Sequence, residues 1–292
     1  MHLSILYRGP LLSCNYGCDY CPFAKRTNTR AELLEDERAL VRFVDWVEAQ
    51  PQGTISVLMT PWGEGLVRRW YQEALVRLSH LPNVARAAIQ TNLSGDVAWA
   101  ADADVARLGL WCTFHPEWAS AERFVAKVNA LRSMRVRLSV GMVGFPRFAE
   151  AIGAMRRALP EEVYLWVNAV KDELGALPAE ARATFEAVDP LFAVNTHHYR
   201  SLGRPCRGGE SMISVTGDGT ARRCHFIAEP IGNIYAADFA EALRPRVCTA
   251  STCHCHIGYV HMPELGLYEV FGEGVLERIP RGWPELRVGL GG

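Results

Sequence analysis

The sequence predicts an α/β protein with six parallel strands, followed by a small cysteine-rich region that contains a β-hairpin and a short helix. Two observations support this fold class. Short apolar runs alternate with amphipathic stretches over roughly the first 195 residues, and after Ser201 the pattern changes to short runs separated by turn residues. Strands that alternate with helices pair in parallel, so the first part is either a barrel two units short of eight or an open doubly wound sheet.

The six predicted strands are runs of apolar and β-branched residues, and the predicted helices carry apolar residues at helical spacing. The strands are 3–7, 54–59, 84–90, 108–114, 136–143 and 163–170. The helices are 31–50, 67–78, 97–106, 119–133, 147–159 and 179–193. Periodicity therefore predicts the order of the elements and leaves the closure of the sheet open.

A hairpin is predicted where the turn 216–219, with sequence Thr-Gly-Asp-Gly, separates the strands 212–215 and 220–226. Asp-Gly tolerates the positive φ that such a turn requires. A further strand at 231–235 and a short helix at 238–243 follow.

This second region holds too few apolar residues for a core of its own, so we expect it to need a chemical staple. The chain accordingly divides into an α/β domain at 1–200, a small cysteine-rich domain at 201–258 and a tail at 259–292. The sequence assigns no role to the tail.

Composition excludes several classes of protein. The chain has 292 residues, of which 49% are hydrophobic and 22% charged, values of a globular protein and not of a disordered or fibrous one. Its 31 basic and 32 acidic residues give a formal charge of −1, so no overall field favours nucleic acid. Because we find neither a membrane-length apolar run nor a signal peptide, we predict a cytoplasmic protein that binds neither nucleic acid nor a membrane.

The nine cysteines are the most informative residues. Eight of them fall into two clusters, one at 14–21 and the other at 206–255. In a reducing cytosol such clustering indicates metal ligation rather than disulfides. The ninth, Cys112, lies inside the fourth predicted strand and is expected to be a buried core thiol.

The first cluster, Cys14-x3-Cys18-x2-Cys21, directly follows the first predicted strand. Three thiolates are one fewer than a [4Fe–4S] cubane usually takes, which leaves one iron open to a small ligand. A structural zinc site would need a fourth Cys or His nearby, and 22–61 contains neither.

This loop resembles the cluster loop of the radical SAM superfamily, in which an aromatic residue, here Tyr20, commonly precedes the third cysteine. The resemblance implies that Cys14, Cys18 and Cys21 ligate a [4Fe–4S] cluster whose open iron is chelated by S-adenosylmethionine. Reductive cleavage would then yield a 5′-deoxyadenosyl radical that abstracts a substrate hydrogen. The same resemblance implies a partial (β/α)6 TIM-like barrel.

Short segments at four further strand ends resemble the same family. Gly63-Glu64 follows strand two, where the family commonly has Gly-Gly-Glu, although the first glycine is Trp62 here. The resemblance implies that Gly63 permits close backbone approach and that Glu64 orients the methionyl ammonium. The other implied cofactor-binding residues, at the ends of strands three, four and five, are Thr91, Asn92, His115, Met142 and Val143.

The second cluster reads Cys206-x12-Gly-x4-Cys224 and then Cys248-x4-Cys253-x-Cys255. It resembles the twitch domain, the shortened relative of the SPASM domain found behind many radical SAM barrels. The resemblance implies one auxiliary [4Fe–4S] cluster held by four of these five thiols. We favour Cys206, Cys224 and Cys253, and spacing does not choose between Cys248 and Cys255 for the fourth. A zinc site helped by a neighbouring histidine is the alternative.

Because four protein ligands are available, the auxiliary cluster is expected to accept an electron rather than to bind substrate. That role predicts a net oxidation, a dehydrogenation or a bond formation, of a small molecule or peptide. A flavodoxin or ferredoxin-type protein would supply the reducing electron.

Two other functions stay open. An epimerase would use an unligated thiol, Cys255, Cys248 or Cys112, to return a hydrogen atom. Lys171 and Asp172, after strand six, are candidate catalytic proton acceptors. A non-enzymatic iron–sulfur electron carrier would have no affinity for S-adenosylmethionine, and a zinc-stapled interaction module would contain zinc and no iron.

Overall fold

The computed structural model describes residues 2–24, 26–50, 53–273 and 275–285. Six strands alternate with helices in its first two thirds, as predicted. The strands are β1 His2–Arg8, β2 Thr54–Met59, β3 Val84–Thr91, β4 Leu108–Thr113, β5 Arg137–Gly144 and β6 Leu165–Ala169. The helices are α1 Arg30–Glu48, α2 Arg69–His80, α3 Ala121–Ser133, α4 Ala149–Ala158 and α5 Ala179–Val188.

Three of the helices predicted for the α/β domain differ most from the observed ones. The segment predicted at 97–106 forms only the short 3-10 helix Ala98–Asp102, and a 3-10 turn at Pro146–Phe148 precedes α4. Helix α5 ends at Val188 rather than at residue 193, because Pro190 follows and the residue before a proline is disfavoured in helical conformation.

The order of the strands decides between the two sheet architectures. The six strands lie side by side in chain order, β1 to β6, and all pair in parallel. A doubly wound sheet would instead reverse its strand order near the first strand. The prediction of a partial barrel is therefore confirmed.

The sheet has a packed core on each face, because side chains alternate across a strand. Outward-facing residues such as Ile5, Val57 and Ile89 pack beneath the helices. Inward-facing residues such as Leu6 and Trp111 form a second core inside the barrel.

The strands after α5 are β7 Tyr199–Arg200, β8 Pro205–Cys206, β9 Met212–Thr216, β10 Thr220–Arg222, β11 Pro230–Asn233, β12 Arg246–Val247 and β13 Thr252–Cys253. The predicted hairpin is β9–β10, and β9 also pairs in parallel with β1. The hairpin and β11 therefore extend the barrel sheet to nine strands. Strands β8 and β12 form one small antiparallel pair, and β7 and β13 form another.

The C-terminal segment fills the inside of the barrel. It contains the short helices α6 His256–Tyr259 and α7 Leu267–Phe271, and its apolar side chains pack against the inward-facing core. Glu277 closes the end of the barrel where the strands begin, with its carboxylate 2.8 Å from the Arg137 guanidinium and 3.6 Å from that of Arg86. None of the helices in the described ranges is long and apolar enough to cross a membrane.

Replacing Glu277 with alanine should lower the free energy of unfolding by about 2–3 kcal/mol, because Arg86 and Arg137 would lose a buried partner. The Glu277 side chain is 8% exposed. Urea unfolding of this variant is best compared with Glu73→Ala, which removes an exposed pair with Arg69 and should cost less than about 1 kcal/mol. Equal losses in the two variants would contradict the role given to Glu277.

Candidate active site

A cavity of about 620 Å³ opens at the end of the barrel where the parallel strands finish. Ligand sites of α/β proteins commonly lie at this end of the sheet. Ten residues predicted to bind the cluster or the cofactor line this cavity: Cys14, Cys18, Cys21, Tyr20, Gly63, Glu64, Thr91, Asn92, His115 and Val143. Met142 differs, because its side chain is fully buried in the core between sheet and helices.

The loop that carries the first three cysteines is held by Asn28. The Asn28 side-chain oxygen accepts hydrogen bonds from the backbone N–H groups of Leu12 (2.7 Å) and Ser13 (2.8 Å). Burial raises the pKa values of Cys14 and Cys18, and the neighbouring cysteines raise them further. Metal ligation deprotonates a cysteine outright, and all three cysteines of the loop line the same cavity, so they fit a cluster ligand set.

Glu64 is 3% exposed and its carboxylate is held on both oxygens. One oxygen accepts from the Thr91 hydroxyl (2.7 Å) and the Leu66 N–H (2.9 Å), and the other accepts from the Asn92 N–H (2.6 Å). Burial raises the pKa of Glu64, and these donors with Lys127 lower it. In this structure Thr91 and Asn92 position Glu64, and a carboxylate still has lone pairs for a further donor.

Gly63 lies against the cysteine loop. Its N–H donates to the Leu11 carbonyl (3.1 Å), and the Glu64 N–H donates to the Ser13 carbonyl (3.0 Å). A Cβ atom on Gly63 would lie 1.9 Å from the Ser13 carbonyl oxygen. The close approach expected from the sequence is thus an approach to the backbone that precedes Cys14.

His115 joins the end of β4 to the same loop. Its Nδ1 lies 2.8 Å from the Tyr20 hydroxyl and 3.5 Å from the Cys18 sulfur. Burial lowers the pKa of His115 to about 4, so the ring is neutral near pH 7. A neutral ring places a hydrogen-bonding group beside Cys18 without adding charge.

Sequence reasoning missed Arg8, the last residue of β1. Its guanidinium is buried, lies 4.0 Å from the ring centre of Trp62 and lines the cavity. This contact gives Trp62 a structural role at the position where it departs from the family pattern. The sequence feature that could have identified Arg8 is its position, because it is a charged residue at the end of an apolar strand and directly before the cysteine loop.

The cysteines of the second group differ in their surroundings. Burial raises the pKa of Cys253 to about 12, and the charges of Cys224, Cys206, Cys248 and, least, Cys255 raise it further. Cys224 is likewise affected by Cys206 and Cys248. Among the described residues, no three His, Cys, Asp or Glu side chains are arranged to hold a single metal ion.

Cys255 has different neighbours. Burial raises the pKa of its thiol, and three cations, Arg8, Arg278 and Lys171, lower it. Of the four cysteines whose charge raises the pKa of Cys253, Cys255 has the smallest effect. The Cys255 side chain packs against the core inside the barrel.

Two further candidates from the sequence lie at the end of β6. Burial lowers the pKa of Lys171 to about 8, with Cys255 opposing this shift and Arg278 adding to it. The side chain of Asp172 lies outside what the structure describes. Cys112 is fully buried in the core between sheet and helices, so its prediction as a core thiol is confirmed.

Comparison with known proteins gives matches only among solved structures, since neither a family nor a curated protein matches the chain. The protein anSMEcpe with bound AdoMet is 14% identical, with a TM-score of 0.52 over 83% of this chain and 80% of that one. Its complex with AdoMet and the Kp18Cys peptide is 14% identical, with a TM-score of 0.54 over 82% and 80% of the two chains.

A third match is SuiB of Streptococcus suis bound to S-adenosylmethionine, which is 13% identical. Its TM-score is 0.52 over 83% of this chain and 66% of the SuiB chain. At such identities the likeness establishes the fold, a partial barrel, and no more.

Proposed function

We propose that this protein is a radical SAM enzyme. The observation that carries the proposal is the convergence of Cys14, Cys18 and Cys21 with the buried carboxylate of Glu64 on one cavity at the strand ends. The likeness in fold to proteins with bound AdoMet supports it.

The residues of the cavity have distinct roles in this proposal. When bound, a [4Fe–4S] cluster with S-adenosylmethionine on its open iron supplies a 5′-deoxyadenosyl radical after one-electron reduction. Cys14, Cys18 and Cys21 would hold the cluster, and Glu64 would accept a hydrogen bond from the methionyl ammonium. Tyr20 and His115 form the wall beside Cys18, and the backbone near Val143 would bind the adenosine.

We assign the auxiliary site to Cys206, Cys224, Cys248 and Cys253. Their mutual influence and the different surroundings of Cys255 favour this set. A [4Fe–4S] cluster with four protein ligands, as in a twitch domain, would accept the electron that the substrate radical gives up as it loses a proton. The substrate then loses two electrons and two protons in all, and S-adenosylmethionine becomes methionine and 5′-deoxyadenosine.

The substrate of this oxidation is a small molecule or a peptide. The complex of anSMEcpe, a protein of similar fold, with a peptide supports a peptide substrate. A flavodoxin or ferredoxin-type reductant would deliver the electron that starts the reaction. The need for reduced clusters favours the cytoplasm.

One observation favours a second candidate, a radical SAM epimerase. The Cys255 side chain packs against the inward-facing core, and the cations Arg8, Arg278 and Lys171 lower the pKa of its thiol against the larger effect of burial. An unligated thiol in the barrel interior would return a hydrogen atom to a substrate radical. Lys171 would then take up or hold a proton beside it.

The direct test is a chemical one, on protein purified without oxygen. We expect about eight iron and eight sulfide per chain, the content of two cubanes, and formation of 5′-deoxyadenosine from S-adenosylmethionine on addition of dithionite. Iron without cleavage or affinity for S-adenosylmethionine would indicate an electron carrier. Zinc without iron would indicate a non-enzymatic interaction module that a zinc site stabilises.

A further inference from the structure

Three cationic side chains from distant parts of the chain meet inside the barrel. Arg8 ends β1, Lys171 follows β6 and Arg278 belongs to the C-terminal segment. The Cys255 side chain packs against the inward-facing core that these residues surround. Arg278 has a φ of 49°, and its guanidinium lies 4.6 Å from the ring centre of Trp166, which lines the cavity together with Arg8.

Among the described residues, Arg8 and Arg278 lack a complete set of hydrogen-bond partners. The Nε atoms of Arg8 and Arg278 are buried without a hydrogen bond, and the two residues are 7% and 2% exposed. Within the described part of the chain, no carboxylate lies within 4 Å of any of the three. Uncompensated charge in a protein interior is unfavourable, so the arrangement indicates a missing anion.

Burial raises the pKa of Asp189 and the charge of Arg278 lowers it, but the Asp189 oxygens already accept hydrogen bonds from other groups. They accept hydrogen bonds from the Tyr164 hydroxyl (2.6 Å) and from the N–H groups of Val167 and Leu191 (2.9 Å each). Asp189 therefore holds β6 in place through these hydrogen bonds. Among the described residues, it forms no ion pair with Arg278.

Neutral hydrogen-bonding groups in the same interior also lack partners. They are the Trp111 Nε1, the Tyr259 hydroxyl and both ring nitrogens of His256. Their rings are contiguous: Trp111 is 5.7 Å from His256, and His256 is 5.4 Å from Tyr259. The Lys171 Nζ lies 5.8 Å from the Tyr259 ring. Because arginine, lysine and tryptophan side chains only donate, donors exceed acceptors in this interior.

We infer that the substrate of this site carries an oxyanion, a carboxylate or a phosphate, that Arg8, Lys171 and Arg278 bind beside the Cys255 thiol. The inference rests on the proposed function, because Arg8 and the Trp166 ring that Arg278 contacts both line the cavity of the proposed active site. Arginine and lysine are the residues that recognise both groups. The anion anchors the substrate between the Cys14–Cys21 loop and the auxiliary cysteines.

Titration calorimetry with inorganic phosphate and with succinate, at constant ionic strength in chloride, tests this site without the reaction. We expect at least one of the two anions to bind the protein as purified without oxygen, and the comparison between them identifies the group. Lys171→Met should weaken that binding at least tenfold, and Arg278→Met should do the same. Arg69→Ala, a change at an exposed arginine, should leave it unaltered.

Three results would overturn the inference: neither anion binds, Lys171→Met binds as tightly as the parent protein, or Lys171→Met loses affinity for S-adenosylmethionine. The last would assign the cations to the carboxylate of S-adenosylmethionine itself. Because Lys171 is only partly buried, its variant should fold even where Arg278→Met does not. Cleavage of S-adenosylmethionine without anion binding overturns this inference alone, whereas anion binding without cleavage overturns the proposed function alone.

Discussion

Gly63→Ala should abolish the reductive cleavage of S-adenosylmethionine, with a loss of at least about 100-fold, the effect of misplacing a reacting group by about 1 Å. The added Cβ would lie 1.9 Å from the Ser13 carbonyl oxygen and 2.4 Å from its carbon. Since these are backbone atoms, no side-chain rotation relieves the overlap. The loop before Cys14 must move away from the strand end that carries Glu64.

The measurement is the rate of 5′-deoxyadenosine formation, with iron content as a second readout of the Cys14 loop. Gly153→Ala is the matched control, because a Cβ there would meet only side-chain atoms, at 3.4 Å or more, on the helix α4. That variant should keep full activity and gain about 0.5–1 kcal/mol of stability. Equal activity of the two variants would show that the close approach of Gly63 and Ser13 is dispensable.

Local pattern was sufficient for the buried strands of the sheet. The strand β2 has the bounds that the β-branched run at 54–59 predicts, because a buried parallel strand needs apolar residues on nearly every position. The spacing of Cys14, Cys18 and Cys21 is also local, so it identified a cluster loop. The arrangement of the strands as a partial barrel was predicted from the family resemblance, since periodicity carries no information on which strands are neighbours.

Contacts between segments that are distant in the chain could not be predicted from the sequence. The pairing of β9 with β1 joins residues about 200 positions apart, as Ile5 opposite Ile213 illustrates, and either strand alone reads as an ordinary apolar run. The tail was without a role because its apolar residues are scattered among glycines and prolines. They form a core only when the inward face of the barrel surrounds them.

The sequence also left open whether Cys248 or Cys255 completes the auxiliary site, because that depends on contacts between distant segments. Both lie within a few residues of Cys253 in the chain, so spacing allows either to complete the auxiliary site. In the structure, the N–H of Gly203 donates to the Cys248 carbonyl (2.8 Å), which ties Cys248 to the segment leading to Cys206. Cys255 precedes α6 and packs against the core inside the barrel.

Cys248→Ala should therefore reduce the iron content from about eight to about four per chain, whereas Cys255→Ala should leave about eight. Removing one of four thiolates opens the auxiliary cluster, and the Cys14 loop lies apart from it. Cleavage of S-adenosylmethionine to 5′-deoxyadenosine should persist in both variants, because it depends on the first cluster. Cys224→Ala, which alters another thiol of the set, should match Cys248→Ala.

Iron and acid-labile sulfide, measured with 5′-deoxyadenosine on the same samples, separate the possible outcomes. Loss of four irons in Cys255→Ala but not in Cys248→Ala would reverse the ligand assignment and remove the free thiol that an epimerase requires. Retention of all iron in Cys224→Ala would leave no auxiliary cluster at these residues, and the oxidation would lose its electron acceptor. Only the predicted pattern keeps an acceptor cluster and a separate thiol beside the cations of the barrel interior.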